Sequence, residues 1–224
     1  MKYILLFTAV LFSATAFSQL NVSHIKLKPK EAVANSSIKI QYNAANTALK
    51  DAGDITVKVI SFSAEAEPDI EEYMLNKKGK NFIVEIPVAQ KTDLLAMCFL
   101  AGDEKDCNGE EGYVIKVKAG KKSSLPNSYL SLYNYHSLYK NYMLDLPANP
   151  ELALEFAEKA FNENPQGFKE ISAYINSINR VKGKNGTEDI KSVLEKVAKA
   201  GIQEENTYNL AIAYYNRMGE TDAA

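Results

Sequence analysis

Two periodicities divide the chain. Across residues 21–118 apolar and polar positions alternate with period two, as they do when successive side chains point to opposite faces of a strand. Ile38, Ile40 and Tyr42 share one face, with Lys39 and Gln41 on the other; Ile55, Val57 and Val59 alternate with Thr56 and Lys58. Phe82, Val84 and Ile86 alternate with Ile83 and Glu85, and Tyr113, Ile115 and Val117 with Lys116 and Lys118. The run at 94–100 (LLAMCFL) is apolar at every position, which predicts a central strand covered on both faces. Weaker candidates at 22–27 and 70–75 bring the expectation to seven strands, the count of an immunoglobulin-like β-sandwich over residues 19–120. Tryptophan is absent, as is the Cys…Trp…Cys spacing of immunoglobulin domains proper, so the expectation concerns architecture alone.

The segment 119–126 (AGKKSSLP) punctuates the chain, and beyond it the period becomes helical. Helices are expected over 127–144, from 150 to about 162, and over 168–181, 187–200 and 203–218, with KGKNG at 182–186 separating two of them. Asn149-Pro150-Glu151 is a strong start signal, in which Asn caps, Pro takes the first helical position and Glu complements the positive helix end. Ala153, Ala157, Ala160 and Pro165 match the second helix of a tetratricopeptide-type repeat. Ile171, Tyr174, Ile175 and Ile178 match a following first helix, and Tyr208, Ala211, Ile212, Tyr215 and Gly219 match it again 37 residues after Ile171. A general helical repeat or bundle fits the same positions. The fold class expected is therefore α+β in two domains, with α-helical hairpin repeats (tetratricopeptide-like) over 126–224. The template's next helix would begin at Ala224, so the region is expected to be incomplete and the chain to be the front part of a longer protein.

Residues 1–18 read as a secretory signal peptide: Lys2, then an apolar stretch at 4–17, then small residues Ala16 and Ser18 before Gln19. The stretch is short for a bilayer span, and no stop-transfer segment follows, so an exported, periplasmic or extracellular location without a transmembrane anchor is expected. Lys and Arg number 26 against 28 Asp and Glu, a net charge of -2. That balance speaks against a nucleic-acid partner, which would favour a basic excess.

Candidate chemistry is sparse. Cys98 lies in the central strand and Cys107 in the loop after it, at C-x8-C spacing. An exported protein permits a disulfide between them; the alternative is a small core residue and an exposed thiol. Asp103, Asp106, Asn108 and Glu110 crowd that loop with oxygen donors for a hard cation, although a solvated Asn-Gly turn is the better account of them. His24 and His136 are the only histidines, and no zinc spacing such as H-E-x-x-H exists. Tyr129, Tyr133, His136 and Tyr139, with Tyr208 and Tyr215 further on, form a candidate interaction face; the competing reading is a wedge between strands and helices. No G-x-S-x-G, P-loop, G-x-G-x-x-G or C-x-x-C is present, so no catalytic residue, resident metal or cofactor is expected. The adjacent pairs Glu71–Glu72 and Glu204–Glu205 read as solvated surface.

Phe99 with Gly102, Asp106-Cys107-Asn108 and Gly112-Tyr113 resemble an F-x-x-G…D-x-N…G-Y hairpin found in the N-terminal region of large exported bacterial thioredoxin-like proteins. The signal, the short sandwich and the N-P-E helix start are similar to that region too, over essentially the whole chain after residue 18. In that group a C-terminal thioredoxin-fold domain carries C-x-x-C. The motif is missing here, so the resemblance transfers no redox residue and implies the accessory part of a thiol–disulfide oxidoreductase. The expected function is a non-catalytic interaction module with a protein partner or a downstream thioredoxin-like domain. Its rivals are a free-standing periplasmic adaptor, an envelope- or carbohydrate-binding protein, and thiol chemistry at Cys98 and Cys107.

Overall fold

The computed structural model describes residues 24–64, 66–121 and 128–219; the expected signal segment 1–18 and the last residues to Ala224 lie outside them. The fold is α+β, with a strand-rich N-terminal part followed by helices. Strands β1 (Ile25–Lys28), β3 (Ser36–Tyr42), β7 (Asn81–Val88) and β6 (Asn76–Lys78) form one curled sheet in that order. The second has the order β2 (Ala32–Val33), β10 (Tyr113–Lys118), β8 (Leu94–Ala101), β4 (Thr56–Phe62), β5 (Asp69–Met74), and β9 (Glu104–Asp106) pairs with β8. Every pairing is antiparallel except β2 with β10. The three strands that the pattern did not predict, β2, β6 and β9, have two or three residues each, too few to display an alternation.

Period two sets the layering. Ile38, Ile40 and Tyr42 of β3 and Phe82, Val84 and Ile86 of β7 meet Val57 and Val59 of β4 and Leu95, Met97 and Phe99 of β8 in one core between the sheets. The opposite parity, Ile60 and Phe62 of β4 with Leu94, Ala96 and Cys98 of β8, is equally buried but faces the helices. The run at 94–100 is thus apolar on both faces because both faces of the second sheet are covered.

The helical layer starts with α1 (Tyr129–Asn134), continues through a π-helical turn at Tyr135–Tyr139 into α2 (Lys140–Leu144), and is followed by α3 (Pro150–Glu163), α4 (Phe168–Lys182), α5 (Thr187–Ala200) and α6 (Glu205–Met218). The Asn149 side chain accepts from the Leu152 N–H at 3.0 Å with Pro150 in the first turn, as the N-P-E signal predicts. Leu132, Tyr135, Leu144, Leu146 and Phe156 close the core over the second sheet. Small Ala153, Ala157 and Ala160 on α3 are buried where α3 meets α1 and α4. A third cluster joins Phe161 and α4 (Ile171, Ile175, Ile178) to α5 (Ile190, Val193, Leu194, Val197), while α6 contributes only Ala211 to its buried part. No helix among the described residues is long and apolar enough to cross a membrane.

Candidate binding site

The hairpin at residues 99–113 is a joint. Its strand β8 carries Cys98 facing the helices, and Cys107 in the loop beyond β9 closes a disulfide with it, both sulfurs lying in the core under Leu132 and Tyr135. Asp106 is the hub of that loop. One carboxylate oxygen accepts from the hydroxyls of Tyr42 at 2.7 Å and Tyr113 at 2.8 Å, and the other accepts from the Asn108 N–H at 3.1 Å. Asn108 in turn donates to the Gly112 carbonyl at 3.3 Å. Burial, with the Asp106 charge beside them, pushes both tyrosine hydroxyls well above their usual pKa, so they stay donors throughout the physiological range. Phe99, stacked on Tyr42 with ring centroids 3.9 Å apart, completes the knot. The loop then grips the helices: the Tyr135 hydroxyl donates to the Glu111 carbonyl at 3.0 Å, Lys140 pairs with the Glu111 carboxylate at 3.4 Å, and the Lys105 ammonium donates to the Asp145 carbonyl at 2.7 Å. The residues of the F-x-x-G…D-x-N…G-Y pattern therefore shape the loop on the strands, and Glu111 and Lys105 between them fasten it to the helices.

Asp103 and Glu110 are exposed on that loop, apart from the bonds of Asp106, and among the described residues no group of three or more His, Cys, Asp and Glu is placed to hold a metal ion. The tyrosines divide. Tyr129, Tyr133 and Tyr139 pack half-buried against the core over the second sheet, whereas Tyr215 belongs to the α4–α5–α6 cluster and Tyr208 is exposed on α6. His136 is 3% exposed, stacked on Phe156, and its Nδ1 has no hydrogen-bond partner. Burial, aided by the Lys140 charge, lowers its pKa to about 4, so it is a neutral core ring at pH 7. His24 lies just before β1, and its carbonyl accepts from the Asn43 N–H.

The feature that sequence reasoning missed sits on the π-helical turn. The extra backbone residue there widens the helix opposite α3 and α4, and a half-open cleft of about 320 Å³ lies along it. Tyr133, Ser137 and Ser177 form a polar floor, and burial raises the pKa of the Tyr133 hydroxyl despite the serines and the Arg180 charge near it. Leu138, 55% exposed, stands with Pro150 and Ala153 as the apolar wall. At the rim one guanidinium nitrogen of Arg180 donates to the Ser137 carbonyl at 2.7 Å. The arrangement offers shape, an oriented cation and hydroxyl donors, the elements of a recognition site. Arg180 is the only ionised side chain in the lining, and the hydroxyl of Tyr139, which also lines the cleft, donates to the Glu67 carboxylate. Nothing in the residues 135–139 signals a π turn, because their helix-forming pattern is the same as that of an ordinary turn.

The described residues form a layered β/β/α chain with an open cleft on its helical side. No family model matches the chain, and no curated protein matches it in sequence.

Proposed function

We propose that the chain is an exported, non-catalytic interaction module, an immunoglobulin-like sandwich carrying tetratricopeptide-type helical hairpins, and that it is the accessory N-terminal part of a thioredoxin-like thiol–disulfide oxidoreductase. The observation that carries the interaction reading is the open cleft on the π turn, with an exposed leucine and an oriented arginine beside one another. Two sheets sharing one core support the sandwich, and the packing of α3 on α4 supports helical hairpins. The sealing of both cysteines in a buried disulfide favours a structural role for them, since a catalytic thiolate must be reached by its substrate. The hairpin joint would give the redox domain a rigid platform.

A photo-crosslinking residue at Leu138, in the full chain in its native compartment, tests the module: one dominant protein adduct is expected, and none would overturn it. A strand–helix pattern with C-x-x-C downstream in the source gene is the expectation for the oxidoreductase part. Insulin reduction by the chain alone is expected at the level of the blank, with and without Cys98→Ser and Cys107→Ser. A second reading, carbohydrate binding, is favoured by Tyr142 at 78% exposure and by Tyr208; glycan-array binding by the full chain that Tyr142→Ala abolishes would favour it.

A further inference from the structure

We infer that the cleft on the π turn captures the free C-terminal carboxylate of a peptide, with Arg180 as the anchor. This rests on the interaction-module reading above and gives it a ligand chemistry. Charge comes first. Arg180 is the only ionised group lining the cleft, it has no carboxylate partner among the described residues, and the chain as a whole carries -2. The Glu67 carboxylate meets the cleft only through the hydroxyl of Tyr139, which donates to it, so the Arg180 rim is the part that selects an anion. Geometry narrows the anion. The 2.7 Å bond from one guanidinium nitrogen to the Ser137 carbonyl tethers one end of the fork beside the cleft and leaves donors of a kind that a planar carboxylate accepts with both oxygens.

The rest of the lining describes what the carboxylate is attached to. Tyr133 and the serines beside it supply hydroxyls for a backbone amide, and Leu138, Pro150 and Ala153 supply a wall for a short apolar side chain. A volume of about 320 Å³ lies at the lower end of the roughly 300–1,000 Å³ of ligand clefts. That is room for a chain end and not for a large cofactor. The open mouth lets the chain leave, which a free small acid would not require.

The test uses the full chain and a set of N-acetylated tetrapeptides differing in the last residue, each made as the free acid and as the C-terminal amide. Binding is followed by NMR shifts of cleft residues. Saturable binding of free acids ending in small apolar residues is expected, with the amides at least about tenfold weaker. Arg180→Gln is expected to lower affinity about tenfold, and Arg180→Lys to recover part of it. Because Arg180 also holds the Ser137 carbonyl, Leu138→Glu serves as the second variant: it leaves that bond alone and puts a like charge beside the ligand, so it too should weaken the acids more than the amides. Equal binding of acids and amides, or no saturable binding by any free acid, overturns the inference. So does N-acetyl-leucine or inorganic phosphate competing as well as the best tetrapeptide, which would reassign the cleft to a small anion. A protein adduct at Leu138 together with acid–amide indifference would sink the carboxylate alone and leave the interaction module standing.

Discussion

His136 shows how one side chain ties this fold to pH. Its ring is enclosed by Tyr135 and Phe156, its Nδ1 is unpartnered, and the Lys140 ammonium lies on the same helix one turn on. All of these disfavour the charged form, which lowers the pKa in the folded chain to about 4 against an ordinary value near 6.5. The unfolded chain therefore binds the proton first. The stability that the neutral ring contributes is fully present above about pH 6.5 and is lost as pH falls toward 4, up to about 3 kcal/mol in all. Urea unfolding measured from pH 7.5 to 4 should show this slope, and His136→Gln should flatten it. The role was half visible beforehand: His136 sits among tyrosines in a helix, but whether that cluster meets solvent or the second sheet depends on residues more than thirty positions away, such as Phe62 and Leu94.

Among the elements, the hairpin at 99–113 and the π turn are held in place by each other. Gly112 has φ +72°, and a Cβ there would lie 2.1 Å from the Tyr135 hydroxyl oxygen. Gly112→Ala should therefore cost both backbone strain and overpacking, roughly 2–4 kcal/mol. Gly79 is the control: its φ is +62° but no atom lies within 4 Å of the added Cβ, so Gly79→Ala should cost roughly 1 kcal/mol. Thermal unfolding of the two variants separates the close approach from the strain. The Cys98–Cys107 bridge closes a loop at a separation of 9 residues, and chain entropy alone gives it about 2.5–3 kcal/mol. The double Cys→Ser chain should lose that much unfolding free energy in urea titrations, without loss of tetrapeptide binding.

What could be read from the sequence at this scale followed from period and punctuation. The long strands, the N-P-E cap and the end of α3 before Pro165 are local signals, and each stands where the pattern put it. The short strands, the π turn and the partners of Asp106 are not local: Tyr42 lies 64 positions before Asp106, so only the folded register brings them together. The setting of Asp106 is hidden for the same reason. A sequence displays oxygen atoms but not the hydroxyls that occupy them.

At the scale of the whole molecule, the strand part and the helical part share a core. Ile60, Phe62, Leu94, Ala96 and Cys98 on the second sheet are buried by Leu132, Tyr135, Leu144 and Phe156, and the joint at Glu111, Lys140 and Lys105 fastens the rim. The last helix is different, since only Thr207 and Ala211 of α6 are buried and Tyr208 faces water. Native-state hydrogen exchange should then show α1 and α2 opening together with β8, and α6 exchanging through openings of lower free energy. A chain ending at residue 121 gives the sharper test. It would keep the core between the sheets, yet expose an apolar face large enough to drive association, each large side chain there forfeiting roughly 1.5–3 kcal/mol of burial. Such a chain should bind a hydrophobic dye and aggregate, whereas the full chain should remain monomeric and dye-free. A soluble, dye-silent 121-residue form would mean that the strand part folds alone and that the helices are a separable passenger, and the rigid platform on which the recognition cleft depends would then have to be abandoned.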